Sequence, residues 1–272
     1  MNEPVKTTDF ATITERQQAT WACGDFHQIA RQNVVMAEAL CQALDPHADQ
    51  AVLDVACGSG TAALVAARRY CRVTGIDYVP ELIQRAQLRA RADDLEATFQ
   101  VADAQRLPFP DDSFDTVMSV YGVQFAPDQE QAAAEMLRVC RPGGKIGLAT
   151  PLSAGWSGDF FRTNANYVPL PPGTQSPLRW GSDEGVNALL GGGCRSIRSE
   201  KRTALQYYRS IDHAVELFLT YFGPAIRAAQ TDDGARLRND LCEVFNRYNR
   251  ADDGTAVIEN TYLLTIAVVN DE

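Results

Sequence analysis

Short apolar runs alternate with amphipathic segments between residues 51 and 149. The runs have the length of buried strands, and the segments between them place apolar residues at helical spacing. A regular alternation of strands and helices predicts an α/β fold with a mostly parallel sheet. The predicted strands cover residues 51–55, 72–76, 97–101, 116–120 and 145–149.

Two later segments, residues 195–208 and 255–269, also alternate like strands, but a long insertion separates them. Within the insertion, residues 212–222 and 236–250 carry apolar side chains at helical spacing. We predict that residues 210–254 form a helical cap over an active site. A surface that pairs two copies into a homodimer is the alternative role for this insertion.

Residues 1–45 are predicted to form a helical segment ahead of the sheet, with its main helix over about residues 26–44. The stretch around Phe26, His27 and Arg31 combines aromatic and polar side chains. We predict that this stretch forms a lid over a ligand. Static packing of the aromatic rings in the core is the alternative.

Residues 151–180 are rich in proline, glycine and aromatic side chains, and they are too long for an ordinary connection. We predict that they form the wall of a substrate pocket, with a helix over about residues 157–167. An excursion across the surface is the alternative. A second helix is predicted over residues 182–191.

Composition excludes several classes of partner. The 272 residues carry a formal net charge of −10, which opposes contact with the phosphates of nucleic acid. No stretch approaches the ~18 apolar residues of a membrane span, and residues 1–9 lack the apolar core of a signal peptide. The seven cysteines are widely spread without a C-x-x-C pair, and the three histidines show no metal-ligand spacing. We therefore predict a cytoplasmic protein with no metal site and no nucleic-acid or membrane partner.

The first predicted strand ends in a glycine-rich turn that leads directly into a helix. Gly58 and Gly60 allow a sharp turn and leave no Cβ where a ligand must approach closely. Residues 61–70 then contain many good helix formers. A strand, a glycine turn and a helix N-terminus together predict a nucleotide-type ligand at the carboxyl end of a parallel strand.

Two ligand classes fit this turn, and the position of Asp54 favours one of them. The spacing of Gly58, Gly60 and Ala63 also fits the loose dinucleotide fingerprint of NAD(P)-dependent oxidoreductases. A carboxylate at Asp54 repels a pyrophosphate and suits a ligand with an ammonium or sulfonium group. Alternatively, Asp54 only holds the turn by accepting hydrogen bonds from backbone N–H groups.

Several stretches resemble motifs of the class I S-adenosylmethionine-dependent methyltransferases. Residues 52–60, Val-Leu-Asp-Val-Ala-Cys-Gly-Ser-Gly, look like the first motif of that family. Residues 107–115 and the Arg-Pro-Gly-Gly sequence at 141–144 are similar to later motifs. We interpret residues 141–144 as a turn between a helix and a strand. The resemblance covers roughly residues 50–150.

The resemblance implies a seven-stranded, mostly parallel, doubly wound sheet whose last strand is antiparallel, with the helical cap as an insertion. Residues 46–150 would form the cofactor-binding core, and residues 151–272 the remainder of the sheet with the substrate-pocket wall and the cap. The implied cofactor is S-adenosyl-L-methionine, bound across the ends of the first four strands.

Asp77 ends the second predicted strand, where a carboxylate can accept hydrogen bonds from both hydroxyls of a ribose. A cap for the helix that begins near Pro80 is its alternative role. The resemblance implies that Asp103 binds the adenine amino group and that the next backbone N–H meets the ring. The residues implied in cofactor binding are Asp54, Ala56, Gly58, Ser59, Gly60, Asp77, Tyr78, Asp103, Ala104, Ser119, Phe26 and Arg31.

The implied reaction moves a methyl group to a nucleophilic O, N, S or C atom of a small molecule. The sequence offers no secure general base, and the weak candidates are His27, Tyr121 and His213. Many members of the family carry a histidine near Gln124, and this chain does not. A non-catalytic protein that binds S-adenosylmethionine or S-adenosylhomocysteine is the main alternative. An NAD(P)-dependent oxidoreductase is the lesser one.

Overall fold

One seven-stranded sheet lies at the centre of the computed structural model, which describes residues 8–271. The strands are β1 Ala51–Val55, β2 Arg72–Asp77, β3 Ala97–Val101, β4 Phe114–Val120, β5 Cys140–Pro151, β6 Cys194–Tyr208 and β7 Ala256–Val269. Their order across the sheet is β3-β2-β1-β4-β5-β7-β6. The first five strands run parallel, whereas β7 is antiparallel to both of its neighbours. The predicted sheet, with its antiparallel last strand, is confirmed.

Helices cover both faces of the sheet, as the doubly wound fold requires. They are α1 Phe10–Ala22, α2 His27–Ala30, α3 Val34–Leu44, α4 Thr61–Ala67, α5 Pro80–Ala92, α6 Gln129–Val139, α7 Gly155–Tyr167, α8 Asp183–Leu190, α9 Ile211–Tyr221, α10 Gly223–Ala229 and α11 Gly234–Tyr248. Buried residues of α3, α4 and α5 form one core cluster, and those of α6 and α8 form another. Within residues 8–271, no helix is both long enough and apolar enough to cross a membrane.

The N-terminal segment differs from the single helix predicted over residues 26–44. A 3-10 turn at Arg31–Asn33 separates α2 from α3. Helix α3 belongs to the core, because Met36, Leu40 and Leu44 are completely buried in it. The lid therefore remains a prediction only for the part ahead of α3. Residues 1–7 of the predicted segment 1–45 lie outside the described residues.

The insertion between β6 and β7 contains three helices, one more than predicted. Pro224 lies in the first turn of the additional helix α10, where the missing N–H has no partner to lose. Helices α9 and α11 pack against α7 through a cluster of rings. Phe160 and Phe218 have ring centroids 4.8 Å apart, and Trp156 and Phe245 have centroids 5.4 Å apart.

The turn predicted at residues 141–144 is wrong, because β5 begins at Cys140 and continues through it. Cys140 pairs with Phe114 and Lys145 pairs with Thr116, so the strand bulges between these two pairs. Gly143 adopts a φ of +70°, which glycine tolerates without strain. The bulge lies at the end of the sheet opposite the carboxyl ends of the parallel strands.

Replacing Leu44 with alanine tests the packing of α3 on the sheet. Leu44 lies against Gly147 of β5, where a Cβ added to Gly147 would come within 2.5 Å of the leucine Cδ1. We expect Leu44→Ala to lower the free energy of unfolding by about 2–5 kcal/mol, because the shortened side chain leaves a cavity. Urea unfolding measures this loss. The control Leu88→Ala, at a leucine that is 60% exposed, should change it by less than about 0.5 kcal/mol.

Candidate active site

The glycine turn after β1 has the strained backbone that its sequence predicts. Ala56, Gly58 and Gly60 all have a positive φ, of +53°, +54° and +78°. The two glycines differ in what surrounds them. A Cβ on Gly60 would lie 2.9 Å from the ring of Phe99, so this glycine permits close internal packing. A Cβ on Gly58 would meet only Phe26, at 3.9 Å, so Gly58 borders open space.

Asp77 connects the turns that follow β1 and β2. One carboxylate oxygen accepts a hydrogen bond from Gly58 N, and the other accepts one from Val79 N, both at 2.9 Å. Burial raises the pKa of Asp77 to about 6, although these two N–H groups favour its ionised form. A carboxylate has about four lone-pair positions, so two remain for a ligand.

Asp54 is completely enclosed, and its position matches the alternative interpretation of the sequence. Its Oδ2 accepts a hydrogen bond from Ala63 N at 2.8 Å, which ties β1 to the first turn of α4. Burial raises the pKa of Asp54 to about 7. The side chain does not line the cleft described next, so a direct role in ligand binding stays a prediction.

A cleft of about 600 Å³ opens at the carboxyl ends of the parallel strands. The predicted cofactor-binding residues that line it are Phe26, Ala56, Gly58, Asp77, Tyr78, Asp103 and Ala104. The cleft therefore unites the turns after β1, β2 and β3 with the lid stretch. Binding of the cofactor by these residues stays a prediction.

The other five predicted residues lie outside the lining of the cleft: Asp54, Ser59, Gly60, Ser119 and Arg31. Ser119 donates a hydrogen bond to Val55 O at 2.7 Å, so its hydroxyl joins β4 to β1. Arg31 is exposed. Ser59 is buried beneath the lid stretch and does not face the cleft.

The sequence analysis missed part of the cleft wall, formed by Trp21, Leu82 and the segment 122–127. The segment 122–127 directly follows the carboxyl end of β4. The rule that selected Asp77 at the end of β2 applies equally there. The position of this segment at the end of β4 was therefore the signal that could have identified it from the sequence.

Polar contacts hold the lid stretch against the glycine turn. His27 Nδ1 lies 2.9 Å from Ser59 Oγ, and Asp25 pairs with Arg85 of α5 at 2.9 Å. Burial and the charge of Arg89 lower the pKa of His27, which favours the neutral imidazole. His27 does not line the cleft, nor the second cavity that is described below. Its contact with Ser59 positions the lid stretch against the glycine turn.

Trp21 joins three parts of the chain around the cleft. Its ring centroid lies 5.4 Å from that of Phe26, 4.8 Å from that of Phe125 and 5.3 Å from that of Phe222. These partners belong to the lid stretch, the segment after β4 and the cap. The aromatic contacts therefore connect the cap to the wall of the cleft.

A second cavity, the inner chamber, adjoins the cleft. Phe26, Tyr121 and Phe125 line both spaces. The rest of the inner chamber is formed by residues of α7, α9, β6 and β7 together with Ile29, Asn33 and Phe222. A compound in the chamber would therefore lie beside a ligand in the cleft.

The three candidate bases occupy different places. Tyr121 alone lines both the cleft and the inner chamber, and its hydroxyl lies 3.3 Å from both Ser157 Oγ and Asn260 Oδ1. Burial raises the pKa of Tyr121, so its hydroxyl stays protonated near neutral pH and cannot accept a proton as a phenolate. His213 lies at the start of α9 and accepts a hydrogen bond from Arg209 N, away from both spaces.

Comparisons with known proteins agree with this architecture. A family profile described as "Methyltransferase domain" matches residues 53–148. An uncharacterised protein of Mycobacterium tuberculosis is 37% identical over 268 residues, which cover 94% of this chain and 95% of that protein. Demethylmenaquinone methyltransferase of Deinococcus radiodurans is 38% identical over 126 residues, covering 45% of this chain and 52% of that enzyme.

Among solved structures, a Haemonchus contortus phosphoethanolamine N-methyltransferase in complex with S-adenosylhomocysteine superposes with a TM-score of 0.60. It is 19% identical, and the match covers 98% of this chain and 61% of that one. At this sequence identity, the structural similarity shows that the two proteins share a fold. Fold, family profile and relatives agree: the chain belongs to the class I S-adenosylmethionine-dependent methyltransferases, and S-adenosylmethionine is its cofactor.

Proposed function

We propose that this enzyme methylates a small molecule held in the inner chamber, while the cleft holds the cofactor. One observation supports this most directly: the two spaces meet at Phe26, Tyr121 and Phe125. When bound, S-adenosylmethionine supplies a methyl carbon that bonds to the acceptor's lone pair as the electrons of the carbon–sulfur bond pass to sulfur. The chain's own part is to align the reactants and exclude water.

The residues of the cleft fit the cofactor. Asp77 keeps unused lone pairs after its two backbone contacts, and these can accept the hydroxyls of a ribose. Tyr78, Asp103 and Ala104 extend the wall toward the end of β3, where a purine ring finds both apolar surface and polar groups. Gly58 leaves space for the amino-acid part of the cofactor beside the lid stretch.

The enclosure of the inner chamber favours a small acceptor. Sites for small molecules are commonly cavities lined mainly by apolar and aromatic side chains. The chamber is walled by buried rings such as Phe160 and Phe218. A folded protein or a duplex cannot reach into such a space, and the net charge of −10 also opposes a nucleic acid.

A panel of small metabolites, peptides and RNA tests this function by mass spectrometry. We expect S-adenosylhomocysteine and a product heavier by one methylene only with small-molecule acceptors. Methylation of a protein or RNA, with none of any small molecule, would contradict the proposal.

Replacing Gly58 with valine tests the cleft as the cofactor site. The branched side chain would enter the space between the turn and Phe26. We expect Gly58→Val to weaken binding of S-adenosylhomocysteine at least about tenfold by calorimetry, because the side chain blocks the ligand and strains a positive φ. Gly254→Val is the matched control, since Gly254 also has a positive φ, of +89°, but no neighbour within 4 Å. Equal losses in both variants would point to strain alone.

The ionisation of Asp77 should control cofactor affinity. Ribose hydroxyls donate to the ionised carboxylate, so binding favours loss of the proton and affinity should rise as pH increases through about 6. Asp77→Asn should bind S-adenosylhomocysteine more weakly by about 1.5–3 kcal/mol near neutral pH. Calorimetry at several pH values measures both effects. A wild-type pH dependence that persists unchanged in Asp77→Asn would remove Asp77 from the contact.

Closure of the lid stretch gives a further measurable outcome. We expect S-adenosylhomocysteine to slow amide exchange in residues 20–31, because the ligand would fix the contacts of Trp21 and His27. Residues 212–222 should respond less, since that part of the cap faces the inner chamber. Hydrogen-exchange mass spectrometry compares the two states. Unchanged exchange in residues 20–31 would leave them as static packing.

A further inference from the structure

We propose that the inner chamber accepts a planar ring compound without a permanent positive charge, whose ring hydroxyl is methylated after losing its proton to water and not to a protein base. This inference rests on the proposed function, because it names the acceptor class of the same site. It follows from the walls, the free polar groups and the charges of the chamber.

The walls of the chamber are mostly flat rings. Trp156 and Phe160 stack with centroids 5.1 Å apart and an interplanar angle of 22°. Phe125, which also lines the cleft, and Phe161 have ring centroids 5.7 Å apart. Aromatic surfaces make their best contacts with other planar rings, by offset stacking or edge-to-face packing. The walls therefore favour a planar acceptor over a flexible chain.

Four buried polar side chains line the chamber with unused hydrogen-bonding capacity. Trp156 is 4% exposed, and its Nε1 has no partner in the described part of the chain. Asn33 is 6% exposed and also lines the chamber. Gln206 and Asn260 are 2% and 1% exposed, and both use their Oε1 or Oδ1 as acceptors while the amide nitrogens stay free of described partners.

An unpaired buried polar group is costly, so the indole N–H of Trp156 indicates a ligand that satisfies it, and the three amides supply further donors beside it. The indole N–H of Trp156 can only donate, and each amide can donate through its nitrogen. Their shared complement is a compound with oxygen acceptors. The same donors would stabilise an oxyanion that forms on a ring hydroxyl.

No residue that lines the chamber in the described part of the chain carries a charge. A permanent ammonium would therefore be buried there without a counter-charge, which is strongly unfavourable. The lining also lacks a proton acceptor: Tyr121 is its single titratable group, and the hydroxyl already points to Asn260 and Ser157.

The proton balance follows from this lining. The ring hydroxyl releases its proton to water, and the resulting oxygen lone pair forms the bond to the methyl carbon. The electron pair of the broken carbon–sulfur bond stays on sulfur. The products are a methyl ether, S-adenosylhomocysteine and one proton in solution, and no side chain changes its protonation state.

Binding of 4-nitrophenol to the protein saturated with S-adenosylhomocysteine tests the acceptor class without turnover. We expect Trp156→Phe to weaken this binding about five- to tenfold, because the ring remains and one N–H donor is lost. Trp180→Phe is the matched control: Trp180 is completely buried with an unpartnered Nε1, but it packs on the other face of the sheet. We expect no change in that variant. Equal binding by the Trp156 variant and the wild type would overturn the role of the indole.

The pH dependence of methylation tests the missing base. We compare the pH profiles of kcat/KM for 4-nitrophenol and unsubstituted phenol as acceptors. The pH at the midpoint of the profile should be higher for unsubstituted phenol, because it is the weaker acid. A midpoint that is the same for both phenols would show a protein base and overturn the proposal. Asn260→Asp keeps the oxygen that Ser157 and Tyr121 contact but adds a negative charge, so it should raise the midpoint for 4-nitrophenol.

Calorimetry with S-adenosylhomocysteine separates the two proposals. If the cofactor product binds normally but neither phenol binds, the acceptor class is wrong and the proposed cofactor site stands. If a tertiary amine such as dimethylethanolamine, whose methylation gives a permanent ammonium, is methylated in preference to the phenols, the argument from charge is wrong. If S-adenosylhomocysteine itself fails to bind, the proposed function fails first.

Discussion

The carboxylate of Asp77 is the contact on which the geometry of the cleft depends. It holds the backbone of the glycine turn on one side and the start of the chain beyond β2 on the other. Two loops that are 19 residues apart in sequence thus keep a fixed spacing at the edge of the sheet. Such a buried carboxylate is stable only because backbone N–H groups face it, and the same arrangement leaves lone pairs for a ligand.

A second constraint comes from the rings around Trp21. They bring the lid stretch, the segment after β4 and the cap into one apolar contact. The polar contacts of His27 and Asp25 lie on the opposite side of the lid stretch, toward α5 and the glycine turn. The cleft is therefore covered by a segment fixed through two kinds of interaction, apolar contacts between rings on one side and polar contacts on the other.

The sequence predicted the central features of the fold because they are encoded locally. The strands, the glycine turn and Asp77 each depend on residues within a short window. Helix α10 and the early start of β5 were missed because proline and glycine signal a break but do not show which element follows. The inner chamber was beyond prediction, since Asn33, Gln206 and Asn260 meet only through tertiary packing.

The wall of the inner chamber has two separate origins, the long antiparallel strands β6 and β7 and the insertion that connects them. Gln206 and Asn260 belong to the paired strands, whereas Phe218 and Phe222 belong to the chain that the strands carry at their end. The polar groups are thus anchored in the sheet, and the apolar surface is supplied by an insertion. Sequence changes in the insertion can therefore reshape the chamber, while the hydrogen-bonding groups of β6 and β7 stay the same. One framework can acquire new substrate specificities in this way.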